Sequence, residues 1–318
     1  MRISRLAPIA IAASAAFALV LTGCTDASQN TDTSSTDSSS DASATPELPS
    51  ESIPELQVDT AAQALLPADV ASSGVLSVAT DPTYAPFEVY AADNTTVVGL
   101  DADLATSLSQ LLGLKVEFVP SSFDAIIPGL SSGKYDMAMS AFSVKPERLE
   151  QADMVIYHQS GSGIAVPKGN PENLSMDPMS LCGRTLGAEK GTTQGMDILP
   201  AFSKQCEDAG QKAIDIQLFP GTDKALTALS SGRVEGVVSG ATGLGYQAKI
   251  TGNFDVAEGG DYDPRPTGAV LPKDSPLTPA IVAAMKKLVT TDAYTTAFEK
   301  WGIPANNEVT PEQVVPAQ

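Results

Sequence analysis

Three cysteines and one histidine bound the covalent and metal chemistry open to this 318-residue chain. With His158 the single imidazole, the sequence argues against a Cys/His zinc centre. His158 itself lies in the strand-like run Val155-Ile156-Tyr157-His158, where a packed ring is expected before a catalytic one. No Gly-x-Ser-x-Gly elbow, metal-ligand cluster or phosphate-cradling glycine loop occurs, and no cofactor is expected. The chemistry that remains is recognition. Polar and aromatic residues gather where strand-like runs end, at Ala79-Thr80-Asp81, Ser140-Ala141-Phe142-Ser143, Gly191-Thr192-Thr193-Gln194 and Ser239-Gly240-Ala241. Ligands of open parallel sheets bind beyond the carboxyl ends of the strands. If two sheets face each other, these four segments line one cleft.

The elements that must position them follow from periodicity. Val75 to Ala79, Lys115 to Val119 and Met137 to Met139 read as strands. Leu100, Leu104, Leu108 and Leu111 share a helical face closed by Gly113, and Phe123 to Leu130 is again helical. Strands alternating with helices predict βαβ units and largely parallel sheets. The later half repeats the plan. Glu117-Phe118-Val119-Pro120, a helix, then Leu130-Ser131-Ser132-Gly133 is echoed by Gln217-Leu218-Phe219-Pro220, a helix, then Leu229-Ser230-Ser231-Gly232. Two similar α/β lobes are the natural reading, with chain crossings near Gly161-Ser162-Gly163 and Pro266-Thr267-Gly268.

The N-terminus sets the compartment. Arg2 and Arg5 precede the apolar run Leu6 to Val20, too short to span a bilayer and suited to a secretory signal. It ends in Leu21-Thr22-Gly23-Cys24, which resembles the lipobox at which bacteria lipidate a cysteine. Residues 24–68, rich in Ser, Thr, Asp and Ala, are expected to form a flexible tether without catalytic residues. In an oxidising compartment, Cys182 and Cys206 then remain as a disulfide pair. Net charge is −19 with a pI near 4.3, which excludes nucleic acid and anionic membrane surfaces as partners.

The sequence resembles the polar amino-acid family (family 3) of periplasmic-type solute-binding proteins, extracellular components of ABC importers. The resemblance rests on the runs Ala79-Thr80-Asp81-Pro82-Thr83-Tyr84-Ala85-Pro86-Phe87-Glu88 and Gly99-Leu100-Asp101-Ala102-Asp103-Leu104-Ala105. It continues in Phe123-Asp124-Ala125-Ile126-Ile127-Pro128-Gly129-Leu130, Ser143-Val144-Lys145-Pro146-Glu147-Arg148, Gly191-Thr192-Thr193-Gln194 and Phe298-Glu299-Lys300-Trp301-Gly302. It implies a two-lobed α/β fold of type II, each lobe a mostly parallel sheet flanked by helices. Signal 1–23 and tether 24–68 precede lobe 1 (69–163 and 267–318) and lobe 2 (164–266). The implied protein is a lipid-anchored, extracytoplasmic monomer that closes on a small polar carboxylate and delivers it to a membrane permease.

The resemblance also assigns roles. Arg148 would hold a ligand carboxylate, as a planar fork of donors suits two oxygens, unless it pairs with Glu147 or Glu150. Ser143 would add a hydroxyl. Thr192 and Thr193 would offer a helix start to an anion, or simply cap it. Tyr84 and Phe123 would wall the ligand, and Asp81 would accept from a cationic group or cap its own turn. The family usually places an Asp where this chain has Gly240, to pair the α-ammonium. Glu189 is the candidate substitute; otherwise the ligand lacks a free α-amino group, as a cyclic or N-substituted derivative does. A sensory receptor remains an alternative, as does a dehydratase-like enzyme recruiting Glu189 or His158.

Overall fold

The computed structural model describes residues 48–259 and 261–317. The signal segment 1–23, Cys24 and the tether as far as residue 47 lie outside the described residues. Twelve strands run in chain order: β1 (Val75–Thr80), β2 (Thr83–Tyr84), β3 (Glu88–Tyr90), β4 (Val97–Val98), β5 (Lys115–Pro120), β6 (Met137–Ala138), β7 (Ala152–Val166), β8 (Thr185–Glu189), β9 (Asp215–Phe219), β10 (Gly236–Gly240), β11 (Asp255–Val256) and β12 (Tyr262–Pro272). Nine form one sheet in the order β5-β1-β6-β12-β7-β10-β8-β9, with β11 on β7, while β2-β3-β4 make a small separate sheet.

The repeat seen in the sequence is a repeat of topology. β1 lies parallel to both β5 and β6, and β8 lies parallel to both β9 and β10. The turns agree in detail. Gly133 and Gly232 both adopt left-handed backbone, at φ 72° and 69°. Asp136 accepts from Ser77 N at 2.8 Å, and Glu235 accepts from Thr185 N at 2.7 Å. An acid at the foot of each third strand thus ties it to the first.

One expectation is corrected. The two groups of parallel strands do not form separate sheets, because β7 and β12 are long strands rather than connecting loops. They pair antiparallel from Ala152↔Pro272 to Tyr262↔Ser162, so the hydrogen-bond ladder never stops between the halves. β7 changes its partner near Gly161: beyond it, Ser162 to Ala165 pair with β10. β12 carries a register shift between Thr267 and Gly268. Both irregularities fall in the segments expected to cross between lobes.

The helices take the positions that periodicity predicts. Leu100–Leu112 buries Leu100, Leu104, Leu108 and Leu111, and Gly113 (φ 70°) ends it. It packs in one core with the helices Thr278–Leu288 and Asp292–Lys300, around Trp301, Tyr157 and Phe298. The second half has its own buried clusters, around Phe202 and Leu186 and around Phe219 and Leu229.

A second correction concerns residues 48–68. Their composition suggested a tether, yet they lie against the first core. Asp59 N donates to Leu111 O at 2.8 Å, Leu56 N donates to Gln110 Oε1 at 3.0 Å, and Ala62 is buried. The few apolar residues suffice because Ile53, Leu56 and Leu66 all pack against that core.

Cys182 and Cys206 are bridged, 24 residues apart in sequence. The chain-entropy estimate for such a loop is about 3.5 kcal/mol. Denaturant unfolding with and without reductant should show a loss of about 2–4 kcal/mol on reduction; equal midpoints would contradict this.

Candidate functional site

All nine ligand-contact candidates named from the sequence line one cleft, whose ≈ 570 Å³ free of protein atoms includes space open to solvent. They come from both halves: Asp81 follows β1, Arg148 ends the turn before β7, Glu189 ends β8 and Gly240 ends β10. Strand ends deliver them, as the parallel topology requires.

Arg148 is the buried cation of this cleft, 4% exposed. It sits on the short helix Pro146–Leu149, where proline presets the first turn. Its Nη1 donates to Ser143 O at 2.8 Å and Nη2 to Gly191 O at 3.1 Å, so one side chain contacts both halves. Phe123 and Phe142, stacked at 4.2 Å, present their faces to the guanidinium at 5.4 and 5.0 Å. Neither Glu147 nor Glu150 pairs with it, and Arg148 forms no ion pair among the described residues. Burial pulls its pKa down to about 10.

Two carboxyl groups face the same space with no cation against them among the described residues. Asp81 Oδ2 accepts from Phe123 N at 2.7 Å, which fixes the start of the helix Phe123–Ser131. Glu189 is 6% exposed and accepts from Thr222 Oγ1 at 2.6 Å. Burial, with the charges of Asp81 and Asp223 nearby, raises its pKa to about 8. Burial likewise raises Asp81, against the lowering hydrogen bond from Phe123.

Glu88 also lines the cleft, and sequence reasoning gave it no role. It accepts from Ser140 Oγ at 2.8 Å through Oε1, while Oε2 has no donor. Its neighbour Asp101 is fully engaged, by Ala141 N at 2.9 Å and Tyr157 Oη at 2.8 Å. Burial and the charge of Asp101 push Glu88 well up, so it is the carboxyl that holds the proton of this pair. Asp101 thereby holds Ala141 in left-handed backbone (φ 47°), the kink that turns the chain toward Ser143 and Arg148. The signal for Glu88 was an acid between Phe87 and Val89, in a run otherwise apolar.

Tyr84 stacks on Phe87 at 5.2 Å, and Phe87 stacks on His158 at 5.1 Å. His158 is buried, and burial lowers its pKa to about 4, so it is neutral packing in the cleft wall. At the far end of this stack the Tyr84 hydroxyl lies against Gly240: a Cβ there would stand 2.1 Å from it. A Cβ on Gly243 would meet the same ring at 2.5 Å. The hydroxyl therefore fills the volume of a side chain at position 240.

The Gly191–Gln194 turn opens the π-helical segment Gln194–Ile198, which runs on into the helix Leu199–Asp208. Thr192 Oγ1 accepts from Gly195 N at 3.1 Å and so caps this start, while Thr193 Oγ1 is buried without a partner. Beside it, Lys145 meets Asp197 at 2.7 Å and Lys190 meets Asp124 at 2.7 Å. These pairs join the two halves with opposite polarity.

The description "bacterial extracellular solute-binding proteins, family 3" matches residues 76–304, and the chain belongs to that family. An arginine-binding protein of Corynebacterium glutamicum is 29% identical over 242 residues, spanning 76% of this chain and 78% of the relative. Among solved structures, an ancestral arginine-binding protein bound to arginine is 32% identical with a TM-score of 0.64, over 72% of this chain and 98% of that one. An ancestral amino acid-binding protein, a precursor of cyclohexadienyl dehydratase, is 30% identical with a TM-score of 0.62, over 73% and 97%. These relatives are binding proteins, and the chain is a solute-binding protein rather than an enzyme.

Proposed function

We propose that this chain captures a basic amino acid outside the cytoplasm and delivers it to an ABC importer. The observation that carries the reading is the charge count of the cleft. One buried guanidinium, Arg148, and two buried carboxylates, Asp81 and Glu189, stand without ion-pair partners. A buried charge without a partner costs several kcal/mol, felt by Arg148 as an unpaired cation and by Glu189 as a raised pKa, so such a set calls for a ligand of the opposite pattern. A basic amino acid carries one carboxylate and two cations. Arg148, with Ser143, Thr192 and Thr193, receives the carboxylate. Tyr84 and Phe123 wall the side chain, whose cationic end reaches Asp81. The arginine-binding names of the relatives point the same way.

The lobes in this reading are 69–163 with 267–318, and 164–266, and closure turns on β7 and β12. Residues 48–68 belong with the first lobe. Processing at Cys24 would leave the protein lipid-anchored on the outer face of the membrane, acting as a monomer beside its permease.

Thermal unfolding of the purified chain should test the ligand class, with arginine, lysine, histidine, glutamate and glutamine as probes. A ligand at ~1,000 times its Kd stabilises by about 4 kcal/mol. Arginine or lysine should raise the midpoint and glutamate should not. A shift with glutamate alone, or with none of the five, would overturn the reading.

A further inference from the structure

We infer that Glu189 binds the α-ammonium of the ligand, in exchange for a proton, because Tyr84 has taken the place from which residue 240 could have supplied an anion. The inference rests on the amino-acid reading and adds to it the residue that selects for a free α-amino group.

Steric facts exclude position 240. A Cβ built there stands 2.1 Å from the Tyr84 hydroxyl and 3.4 Å from the ring carbon bearing it. A side chain at 240 therefore requires the Tyr84 hydroxyl to move or to be absent. The lobe-two wall must find its anion elsewhere, and Glu189 lines the same cleft on the neighbouring strand β8. Thr222 Oγ1 fixes one of its oxygens at 2.6 Å. No cation is committed to it: Lys190 bonds outward to Asp124 and Lys224 to Asp223. Arg148 grips the turn at Gly191 through Gly191 O at 3.1 Å, two residues beyond Glu189 in the chain. A cation and an acid thus line the same cleft, an arrangement that fits a zwitterion.

The surroundings of Glu189 decide its protonation. Asp81 comes from the end of β1, Asp223 from the helix Thr222–Ser230, and Tyr84 from β2; the first two repel a charged Glu189. Glu189 is therefore protonated in much of the unliganded protein near neutral pH. An incoming ammonium stabilises the carboxylate, and the carboxyl proton leaves to solvent. Binding is then linked to proton release, so affinity rises with pH. Below Glu189's pKa of about 8 it should drop by up to tenfold per pH unit.

The test is calorimetric titration of the wild type and Glu189→Gln with arginine and with 5-guanidinopentanoate, which lacks only the α-amino group. Buffers of differing ionisation enthalpy report the protons released. The wild type should prefer arginine by ~100-fold or more and release about half a proton or more at pH 7. Glu189→Gln, which can keep the Thr222 bond, should lose both the preference and the release. Equal preference in both proteins, or unchanged proton release, would overturn the inference. Failure of the wild type to bind arginine at all would instead strike the amino-acid reading. Should Glu189→Gln not fold, Gly240→Ala and Gly240→Ala/Tyr84→Phe provide the second measurement. The single substitution should weaken arginine binding and the double should restore it, since the remaining 3.4 Å is an ordinary contact. No recovery in the double variant would overturn the steric half of the inference.

Discussion

Replacing Arg148 by alanine should lower ligand affinity by ~100- to 1,000-fold while leaving the unliganded protein nearly as stable as before. Truncating one partner of a buried, hydrogen-bonded charge pair costs roughly 2–5 kcal/mol. In the absence of ligand, however, Arg148 has no anion to offset its desolvation, so its removal discards an unfavourable term along with two bonds to carbonyls. Arg148→Lys should fail almost as badly. A single ammonium cannot reach Ser143 O, Gly191 O and a carboxylate in one plane. Calorimetric affinity and a denaturant midpoint, measured on the same preparations, check both halves. Affinity within threefold of the wild type would remove Arg148 from the site.

The second large effect is on the fold. Trp301, the single tryptophan, is 1% exposed and donates from Nε1 to Asp103 Oδ2 at 2.6 Å. Lys300 reaches the same carboxylate at 2.9 Å. Trp301→Ala would open a cavity in the core it shares with Phe298 and Leu104 and cost about 4 kcal/mol. For a chain of this size that corresponds to a fall of roughly 8–16 °C in Tm. Circular dichroism is the suitable probe, because the substitution removes the indole fluorophore. A fall below about 3 °C would show that the core collapses around the gap.

Much of this architecture is legible in the sequence because its signals are local. The Leu100 to Leu111 stripe, the Ser-Ser-Gly turns and the individual strands and helices that alternate each occupy fewer than about fifteen residues. The site was legible too, since polar residues at strand ends have few other reasons to cluster. What escaped depended on partners far along the chain. Residues 48–68 read as a tether because their apolar residues are sparse; only the groove beside Gln110 and Leu111 makes those few sufficient. Glu88 escaped because its role depends on Asp101 and Ser140, 13 and 52 residues away. Gly240 looked like a lost anion, and only the path of Tyr84 across the cleft shows what fills the gap.

The place of β12 in the sheet governs the order in which the fold can be completed. β6 and β7 are joined only through it, by Val270↔Ala138 on one side and the long ladder to β7 on the other. Until residues 262–272 arrive, residues 48–166 have no β12 to join β6 to β7 and lack the helix Asp292–Lys300 that shares their core. The amino-terminal half therefore cannot lock into its final form until the end of the chain is in place. The last fifty-odd residues thus act as the closing key of the fold.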